Sequence, residues 1–314
     1  VRGLTASFDH LHPKVREVAG KSVEERIAWL QVDRWVKLDR SEAALAQLEA
    51  LLAYPTRGRM PCLLIHGTTG MGKSEILERF HKRHPWSIDT KTGRETLPVL
   101  LAEMPPEATE IDFYEAILDQ LNYRKRSSGT ARERRGQVIA VMADAGVRVL
   151  MLDEIDKMLG STPRQQRLFL NSIRYLTNQL RISIVCAGAT GAQLAIRTDP
   201  NLADRFASFE LHHWQKGRAL EQLLVSFSMS LPLCEPSDLT TSEMQDEVIK
   251  MTDGVTGRIF RLFEALAIAA IVSGREQIDL GSLRDEKLLL PLVSMEGRKS
   301  QDHAVAGYLF GDAG

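Results

Sequence analysis

The sequence has few cysteines and no long apolar run, and each scarcity argues against a class of protein. Its 314 residues include three cysteines, Cys62, Cys186 and Cys234. They are odd in number, widely spaced and never in a C-x-x-C pair, which argues against a disulfide framework or a cysteine metal site. The chain has no run of about 18 apolar residues and no signal-peptide core, so we expect no membrane partner and a cytoplasmic location.

The chain also lacks an excess of charge of either sign. Its 40 basic and 41 acidic side chains leave a formal net charge of −1 at pH 7. The molecule as a whole is therefore no obvious polyanion binder, and any nucleic-acid surface must be a local patch. The length suffices for one large domain and a smaller one.

What the chain does contain is a glycine-rich loop, GTTGMGKS, over residues 67–74. It fits the P-loop pattern G-x-x-x-x-G-K-[ST]. The run before it, CLLIH over 62–66, is typical of a buried strand, and SEILERFHKRH over 74–84 places apolar residues on one helical face. Strand, loop and helix follow in the order that a P-loop requires. We therefore predict a nucleoside triphosphate site rather than a turn that merely resembles one.

The residue types of this loop suit a nucleotide's phosphates. Glycines let backbone N–H groups curl around phosphate oxygens, and the following helix adds its positive N-terminal end. Lys73 is predicted to contact the β- and γ-phosphates and the Ser74 hydroxyl to bind Mg²⁺. The predicted cofactors are thus ATP and Mg²⁺. The predicted nucleotide contacts are Gly67, Thr68, Thr69, Gly70, Met71, Gly72, Lys73, Ser74 and Glu75.

A second run, VRVLMLDEID over 147–156, has a buried-strand pattern that ends in acids. Asp153 at the strand tip is predicted to hold Mg²⁺, directly or through water, and Glu154 to orient and polarise the attacking water. An acidic helix N-cap after a strand is the alternative, which the P-loop upstream disfavours. The adjacent Asp-Glu pair indicates hydrolysis, and the sequence has no N-K-x-D motif of the kind expected in a switch GTPase.

The rest of the chain predicts the sheet around these motifs. Runs at 96–104, 181–189 and 206–211 are strand-like, and helical patterns such as 112–123 and 166–180 lie between the strands. This alternation predicts an α/β fold with a doubly wound, parallel, five-stranded sheet. The two motif strands lie too far apart in sequence for a single crossover, so we expect another strand between them.

Strand signals fade after HHWQKG, residues 212–217, and helical patterns follow at 218–230, 240–252 and 257–273. The predicted organisation has four parts. They are an N-terminal helical segment over 1–56, an α/β nucleotide-binding core over 57–213, a helical lid over 214–285 and a flexible tail over 286–314.

The motifs in this order resemble the AAA+ ATPases, and more narrowly the transposition regulators of the TniB and TnsC type from Tn7-like and CRISPR-associated transposons. The matching pieces, over about residues 32–270, are DRWVKLDRSEAALAQLEALLAYP, GRMPCLLIHGTTGMGKSEIL, VLMLDEIDKML, ADRFASFEL and LPLCEPSDL. The resemblance implies a P-loop AAA+ domain with a small C-terminal helical lid. It also implies slow, Mg²⁺-dependent hydrolysis of ATP to ADP and phosphate, stimulated by a partner or by DNA.

The resemblance implies partners as well. Such regulators oligomerise with ATP on double-stranded DNA, as a ring or helical filament, and recruit or activate a transposase at the target site. A transposase and a target-selector protein of the same transposon are therefore expected partners. Hydrolysis is expected to drive disassembly.

The resemblance assigns further residues to the nucleotide. Thr190 matches sensor 1, which reads the γ-phosphate, although a turn residue is the alternative. Arg205 in DRF matches the arginine finger that reaches a neighbouring subunit; a surface salt bridge is the alternative, and Arg197 is the rival finger. Arg258 in GVTGRIFRL matches sensor 2, unless it is a solvated arginine at a helix start.

Trp35 and Val36 fall where such proteins cover the adenine, and a core tryptophan is an equally good interpretation. The stretch YRKRSSGTARERRG, residues 123–136, is basic and holds serine and glycine. A mobile loop of this kind would follow DNA phosphates with little sequence preference, and a solvated helix end is the alternative. The predicted DNA contacts are Arg124, Lys125, Arg126, Arg132, Arg134 and Arg135.

Two other functions compete with a transposition regulator. A replication-initiator or helicase-loader ATPase shares the architecture but often adds a winged-helix domain, for which the stretch after residue 274 is short. A nucleotide-gated signalling switch without turnover is disfavoured by the Asp-Glu pair.

Overall fold

A computed structural model describes residues 8–32, 35–88, 90, 93–105, 109–123 and 129–284. The chain divides into two compact units. The central unit holds Lys37–His212, and the terminal unit combines the chain up to Val36 with the chain from His213 onward. The predicted N-terminal segment 1–56 is thus shared between the two units. The predicted tail over 286–314 lies outside the described residues.

A parallel sheet forms the middle of the central unit. Elements are numbered in chain order, and the sheet's strands are β1 (Cys62–His66), β4 (Val99–Glu103), β5 (Val149–Asp153), β6 (Ser183–Gly188) and β7 (Phe206–Glu210). Their spatial order is β4-β5-β6-β1-β7, and every neighbouring pair is parallel. The expected extra strand between the two motif strands is therefore β6. Two short strands, β2 (Ser87–Ile88) and β3 (Glu95–Thr96), form a separate antiparallel pair.

Helices pack on the sheet because its inner strands are mostly apolar and almost entirely buried. All five residues of β1 are buried, as are all six of β6, which is the pattern of strands covered on both faces. The helices of this unit are α3 (Asp39–Ala53), α4 (Lys73–Arg83), α5 (Glu110–Gln120), α6 (Ala131–Asp144), α7 (Pro163–Leu180), α8 (Ala192–Arg197) and α9 (Pro200–Ala203), with a 3₁₀ helix at Ile155–Gly160.

Helix α6 corrects one sequence prediction. The basic stretch 123–136 was predicted as a mobile loop, but its second half is helical from Ala131. The start is fixed by a capping box: Thr130 Oγ1 accepts from the Glu133 N–H at 3.3 Å, and Glu133 Oε2 accepts from the Thr130 N–H at 2.7 Å. For this half, the helix-end alternative describes the structure better.

The terminal unit is helical among the residues that the structure describes. Its helices are α1 (Pro13–Ala19), α2 (Val23–Leu30), α10 (Arg218–Ser230), α11 (Ser242–Thr252), α12 (Thr256–Ser273) and α13 (Leu280–Arg284). The helices predicted over 218–230, 240–252 and 257–273 are present as α10, α11 and α12. Arg26 of α2 is buried and donates to Glu276 Oε1 at 2.9 Å and to the Pro232 carbonyl at 3.0 Å. These contacts join the two ends of the chain in one unit.

Candidate nucleotide-binding site

The glycine-rich loop lies where β1 ends and α4 begins, and two glycines are required by its geometry. A Cβ on Gly67 would lie 2.6 Å from the Leu211 carbonyl oxygen, so only glycine lets the two backbones approach. Gly72 caps α4 in the left-handed region at φ 94°. The space above Gly72 is open: Glu75 Oε2, at 4.0 Å, is the nearest atom to its Cβ position. The loop therefore forms a cradle at the positive end of α4.

Lys73 turns its ammonium group back into this cradle. Its Nζ donates to the carbonyls of Gly67 at 2.8 Å and Thr68 at 3.1 Å. Burial lowers the pKa of Lys73, although the nearby carboxylates of Asp156 and Asp153 act to raise it. A partly desolvated cation at the start of a helix attracts an anion more strongly than one in bulk water.

The two acids of the second motif lie at the same edge of the sheet. Asp153 is the last residue of β5, and its Oδ1 accepts from the Glu154 N–H at 2.8 Å. Glu154 adopts the left-handed conformation at φ 54° and ψ 40°, which is costly for a residue with a side chain and is typical of functional sites. The two carboxylates have different contacts: that of Asp153 accepts the Glu154 N–H, and that of Glu154 contacts Lys157.

A lysine and a third acid complete this edge, and the sequence analysis missed both. Lys157 Nζ contacts Glu154 Oε2 and donates to Glu103 Oε1 at 2.7 Å and to the Met104 carbonyl at 3.1 Å. Hydrogen bonds that Lys157 donates to the carboxylates of Glu103 and Glu154 raise its pKa, and its ammonium lowers the pKa of Glu103. Glu103 ends β4 directly opposite Asp153; a carboxylate at a strand end was the signal that could have found it.

Asp156 is a further residue that sequence reasoning did not single out. Its Oδ1 accepts from the Ala189 N–H at 2.8 Å, which ties the 3₁₀ helix to the end of β6. Thr190 follows Ala189 and is exposed beyond β6. Because β6 lies between β1 and β5, this places Thr190 on the sheet edge between the P-loop and Asp153. The sensor 1 candidate thus lies on the same edge as both motifs, although no contact of its side chain defines its role.

The chemistry of this edge fits ATP and Mg²⁺. The cradle offers backbone N–H groups, an ammonium group and a helix N-terminus, all of which suit phosphate oxygens. Ser74 is half-buried in the first turn of α4, beside the loop, and its hydroxyl and the Asp153 carboxylate are oxygen ligands of the kind that Mg²⁺ prefers. Thr68, Thr69, Met71 and Glu75 lie along the same loop and helix start.

Arg205 lies at the amino ends of the parallel strands, whereas its own P-loop lies at their carboxyl ends. It directly precedes β7, an edge strand, and its carbonyl accepts from the Cys62 N–H at 2.8 Å. Its Nη1 donates to Asn178 Oδ1 at 2.8 Å. Gly67 lies six residues further along the parallel direction, about 20 Å away at roughly 3.3 Å per residue. The rival, Arg197, is exposed at the end of α8.

Three predicted nucleotide contacts belong to the terminal unit. Trp35 and Val36 are half-buried at the end of its N-terminal segment. Arg258 is in the first turn of α12 and forms an ion pair with Asp253, with 20% of its side chain exposed. Asp253, at φ 51°, ends α11 in the left-handed region. A contact between these residues and a nucleotide stays a prediction.

The structure removes one residue from the predicted DNA contacts. Arg134 is 3% exposed, and its Nε donates to Glu115 at 3.0 Å, so its guanidinium is not offered to a phosphate. Arg135 is half-buried with its guanidinium 4.8 Å from the ring centre of Tyr175, whereas Arg132 is exposed. Arg124, Lys125 and Arg126 lie outside the described residues. Within the part of the chain that the structure describes, no helix has the length and apolar character needed to cross a membrane.

Comparison with known proteins identifies a family and a fold. The family model of the bacterial TniB protein matches residues 26–216, while no curated protein matches the chain. Among solved structures, the ORC2 protein of Aeropyrum pernix in its ADPNP–ADP complexes is 16% identical with a TM-score of 0.58, over 85% of this chain and 72% of that one. Cdc6p of Pyrobaculum aerophilum is 16% identical with a TM-score of 0.57, over 84% and 70%.

A third structure, Aeropyrum pernix ORC1 in complex with DNA, is 18% identical with a TM-score of 0.55, over 83% of this chain and 68% of that one. At such identities the likeness shows the fold alone. The predicted P-loop AAA+ fold, with its parallel five-stranded sheet, is thereby confirmed.

Proposed function

Because the chain belongs to the TniB family, we propose that it is an ATP-dependent regulator of DNA transposition acting in the cytoplasm. In this proposal the protein assembles with ATP on double-stranded DNA and recruits or activates a transposase at a site chosen by a target selector. Hydrolysis of ATP to ADP and phosphate drives disassembly. The observation that carries the proposal is the P-loop and the Asp153–Glu154 pair on one edge of the sheet.

Each residue of this edge has a chemical task in the proposal. The loop N–H groups and Lys73 hold the β- and γ-phosphates, and Ser74 and Asp153 hold Mg²⁺, which when bound neutralises charge on the phosphates. Glu154 accepts a hydrogen bond from the attacking water and so orients and polarises it. Thr190 is placed to contact the γ-phosphate, while Trp35, Val36 and Arg258 are the proposed contacts from the terminal unit.

The position of Arg205 supports an active site shared between subunits. An arginine about 20 Å from its own P-loop cannot contact the phosphates bound there, but it is well placed to contact those of a neighbouring copy. Its planar fork suits the γ-phosphate oxygens and keeps its charge at all relevant pH values. ATP bound at such an interface favours the assembled state, whether ring or filament, and its loss favours single subunits.

The DNA surface in this proposal is the basic stretch without Arg134. Arg124, Lys125, Arg126, Arg132 and Arg135 remain the proposed phosphate contacts, and the likeness to the ORC1 protein in complex with DNA gives support at the level of the fold. A replication-initiator or helicase-loader role is the alternative that the ORC and Cdc6 likeness favours. Co-purification of the chain with a transposase, rather than with a helicase, would separate the two functions.

The substitution Glu154→Gln tests the proposal by separating assembly from hydrolysis. It keeps the shape of the side chain and leaves Asp153 in place but removes the charge that polarises water. We expect phosphate release with ATP, Mg²⁺ and double-stranded DNA to fall by about 10²–10⁴-fold, while light scattering and electron microscopy still show ATP-dependent assemblies on DNA.

Glu78→Gln, at an exposed position of α4, is the matched control and should behave as wild type. Turnover near the wild-type rate in Glu154→Gln would assign the water to another residue. Absence of any ATP-dependent assembly on DNA in the wild-type protein would contradict the proposed regulator itself.

A further inference from the structure

The guanidinium of Arg205 is held by contacts within its own subunit. Its backbone N–H donates to the Leu202 carbonyl at 2.9 Å, and its carbonyl accepts from the Cys62 N–H at 2.8 Å. At the tip of the side chain, Nη1 donates to Asn178 Oδ1 at 2.8 Å, while Nε is enclosed and finds no hydrogen-bond partner among the described residues. Asn178 is thus the side chain that fixes where this guanidinium points.

Asn178 lies on a helix turn whose neighbouring side chains are buried. It lies in the last turn of α7, beside Leu176 and Thr177, which are 0% and 1% exposed. Burial of these two side chains anchors the turn in the unit, and the Thr177 hydroxyl donates to the Ile173 carbonyl of the same helix at 2.9 Å. The Asn178 side chain is exposed, so its amide projects from an anchored turn toward Arg205.

An amide is chemically suited to hold an arginine that must still bind an anion. The Oδ1 atom accepts one N–H and leaves the positive charge of the guanidinium uncompensated, whereas a carboxylate would neutralise it. Apart from the enclosed Nε, the remaining N–H groups of the Arg205 fork stay available to phosphate oxygens. Holding a long side chain in one rotamer beforehand reduces the entropy that is lost when it docks.

We propose that Asn178 is a positioning residue for Arg205, which orients the guanidinium before a second copy of the chain brings its nucleotide to it. The inference rests on the proposed role of Arg205 in trans. Loss of the amide should weaken the action of Arg205 on the neighbouring site by about three- to tenfold, the value of one immobilised side chain.

Mixed assemblies of two variants test this role of Asn178, because the arginine and the P-loop that it serves then belong to different variants. The catalytic partner is Arg205→Ala, which keeps its P-loop but lacks the guanidinium. The donor is Lys73→Ala, which keeps Arg205 but lacks the phosphate-binding ammonium. Phosphate release is measured while the donor is titrated into a fixed amount of the catalytic partner with ATP, Mg²⁺ and DNA. The rate of phosphate release that the Lys73→Ala donor restores is the reference rate.

Three donors are then compared, each carrying Lys73→Ala with a second substitution. Asn178→Ala should lower the restored rate by about three- to tenfold, and Asn178→Asp should lower it further because the carboxylate competes with phosphate for Arg205. Gln179→Ala, on the neighbouring exposed residue of α7, should match the reference. The unfolding midpoint and co-assembly of each donor are measured alongside.

The location of the substitution separates positioning from a structural role. Asn178→Ala placed in the catalytic partner, which has no Arg205 to orient, should leave the restored rate unchanged, whereas a structural defect would lower the rate from either side. A donor with Asn178→Ala that matches or exceeds the Gln179→Ala donor would overturn the inference. Failure of the Lys73→Ala donor itself to restore hydrolysis would instead overturn the proposed sharing of the site.

Discussion

At the scale of the residue, Glu154 shows how a strained backbone can serve a site. Its left-handed conformation at φ 54° turns the chain sharply after β5. Asp153 Oδ1 accepts its N–H, and Lys157 contacts its carboxylate, so the surroundings hold the conformation. A side chain in this region costs about 1–2 kcal/mol. These two contacts link the strained residue to the end of β5 and to the 3₁₀ helix.

Replacing Glu154 with glycine and with alanine measures this strain. Both variants should lose hydrolysis, but Glu154→Gly should be more stable than Glu154→Ala by about 1 kcal/mol, since glycine adopts the left-handed region without steric cost. Chemical denaturation gives the two free energies of unfolding. The same pair of substitutions at Glu103, in the regular strand β4, should give the opposite order. Equal stability of the two Glu154 variants would show that the turn relaxes.

The same scale shows how far sequence could go in predicting the site. The glycines, Lys73 and Asp153 were predictable because local chemistry fixes them: a loop that must wrap a phosphate needs glycine, a cation and a following helix. Glu103 and Lys157 were not predicted. Their meeting depends on the register that sets Glu103 opposite Asp153, and register is decided by the whole sheet. The burial of Arg134 likewise depends on Glu115 of another helix.

At the scale of the element, the contact between the end of β6 and the 3₁₀ helix leaves no room for a side chain. A Cβ on Gly188 would lie 2.6 Å from Asp156 Oδ1, 2.8 Å from the Ala192 Cβ and 2.9 Å from Ile155 Cγ2. These neighbours come from the chain on both sides of β6, so none of them can move without shifting an element. Glycine at this position is required by packing rather than by backbone conformation.

Gly188→Ala should therefore destabilise the protein by about 1–3 kcal/mol. The added methyl also pushes Asp156 away from the Ala189 N–H, so hydrolysis should fall more than stability alone would explain. Gly136→Ala is the matched control: it lies in α6 with open space around it and should stabilise by up to about 1 kcal/mol. Thermal unfolding and phosphate release measure both effects. A neutral Gly188→Ala would mean that the 3₁₀ helix is free to move.

Elements differed in how well sequence predicted them. The strand at 62–66 and the helix at 218–230 have the predicted bounds, because apolar spacing and turn residues agree there. The start of helix α6, residues 131–136, was predicted as part of a mobile loop, with a helix end as the alternative, because it holds arginines and a glycine rather than an apolar stripe. The Thr130 and Glu133 pair was the readable signal, since a capping box depends on local spacing alone.

At the scale of the whole molecule, one ion pair joins the two ends of the chain in the terminal unit. Arg26 has 5% of its side chain exposed and Glu276 has 19%. Burial acts to raise the pKa of Glu276, but hydrogen bonds from Arg26 and from the Cys234 N–H outweigh it, and the pKa is lowered. No local pattern could predict this contact, since 250 positions separate the partners. The division of segment 1–56 was missed for that reason.

Removing one partner of this pair should be costly. Arg26→Met leaves Glu276 without its cation and should destabilise the protein by about 3–5 kcal/mol. Lys21→Met, which removes an ion pair whose side chains are 51% and 57% exposed, should change stability by less than about 1 kcal/mol. Denaturant unfolding at pH 7 compares the two variants. Similar values would show that the buried pair contributes no more than a surface one.

The lowered pKa of Glu276 determines the direction in which the free energy of unfolding changes with pH. A carboxylate whose pKa is lowered by folding stabilises the protein fully above its unfolded value of about 4.3 and loses that contribution as the pH falls through the folded value. Wild type should therefore lose stability below about pH 4.3 more steeply than Arg26→Met, in which the contribution of Arg26 to this linkage is removed and only that of the Cys234 N–H is left. Parallel curves for the two proteins would contradict the assignment to Glu276.

The parallel direction of all five strands has a consequence for any chain of subunits. Arg205 lies at the amino ends of the strands and the P-loop at their carboxyl ends. In the proposed assembly, each inner subunit therefore supplies its arginine to one neighbour and receives an arginine from the other. An open assembly of this kind has two unlike ends. One terminal subunit holds a nucleotide that no arginine reaches, and the other holds an arginine with no nucleotide to meet. In an open pair only one of the two nucleotides meets an arginine, so hydrolysis per subunit is half of that in a very long assembly. It rises as the assembly lengthens, whereas in a closed ring every nucleotide meets an arginine.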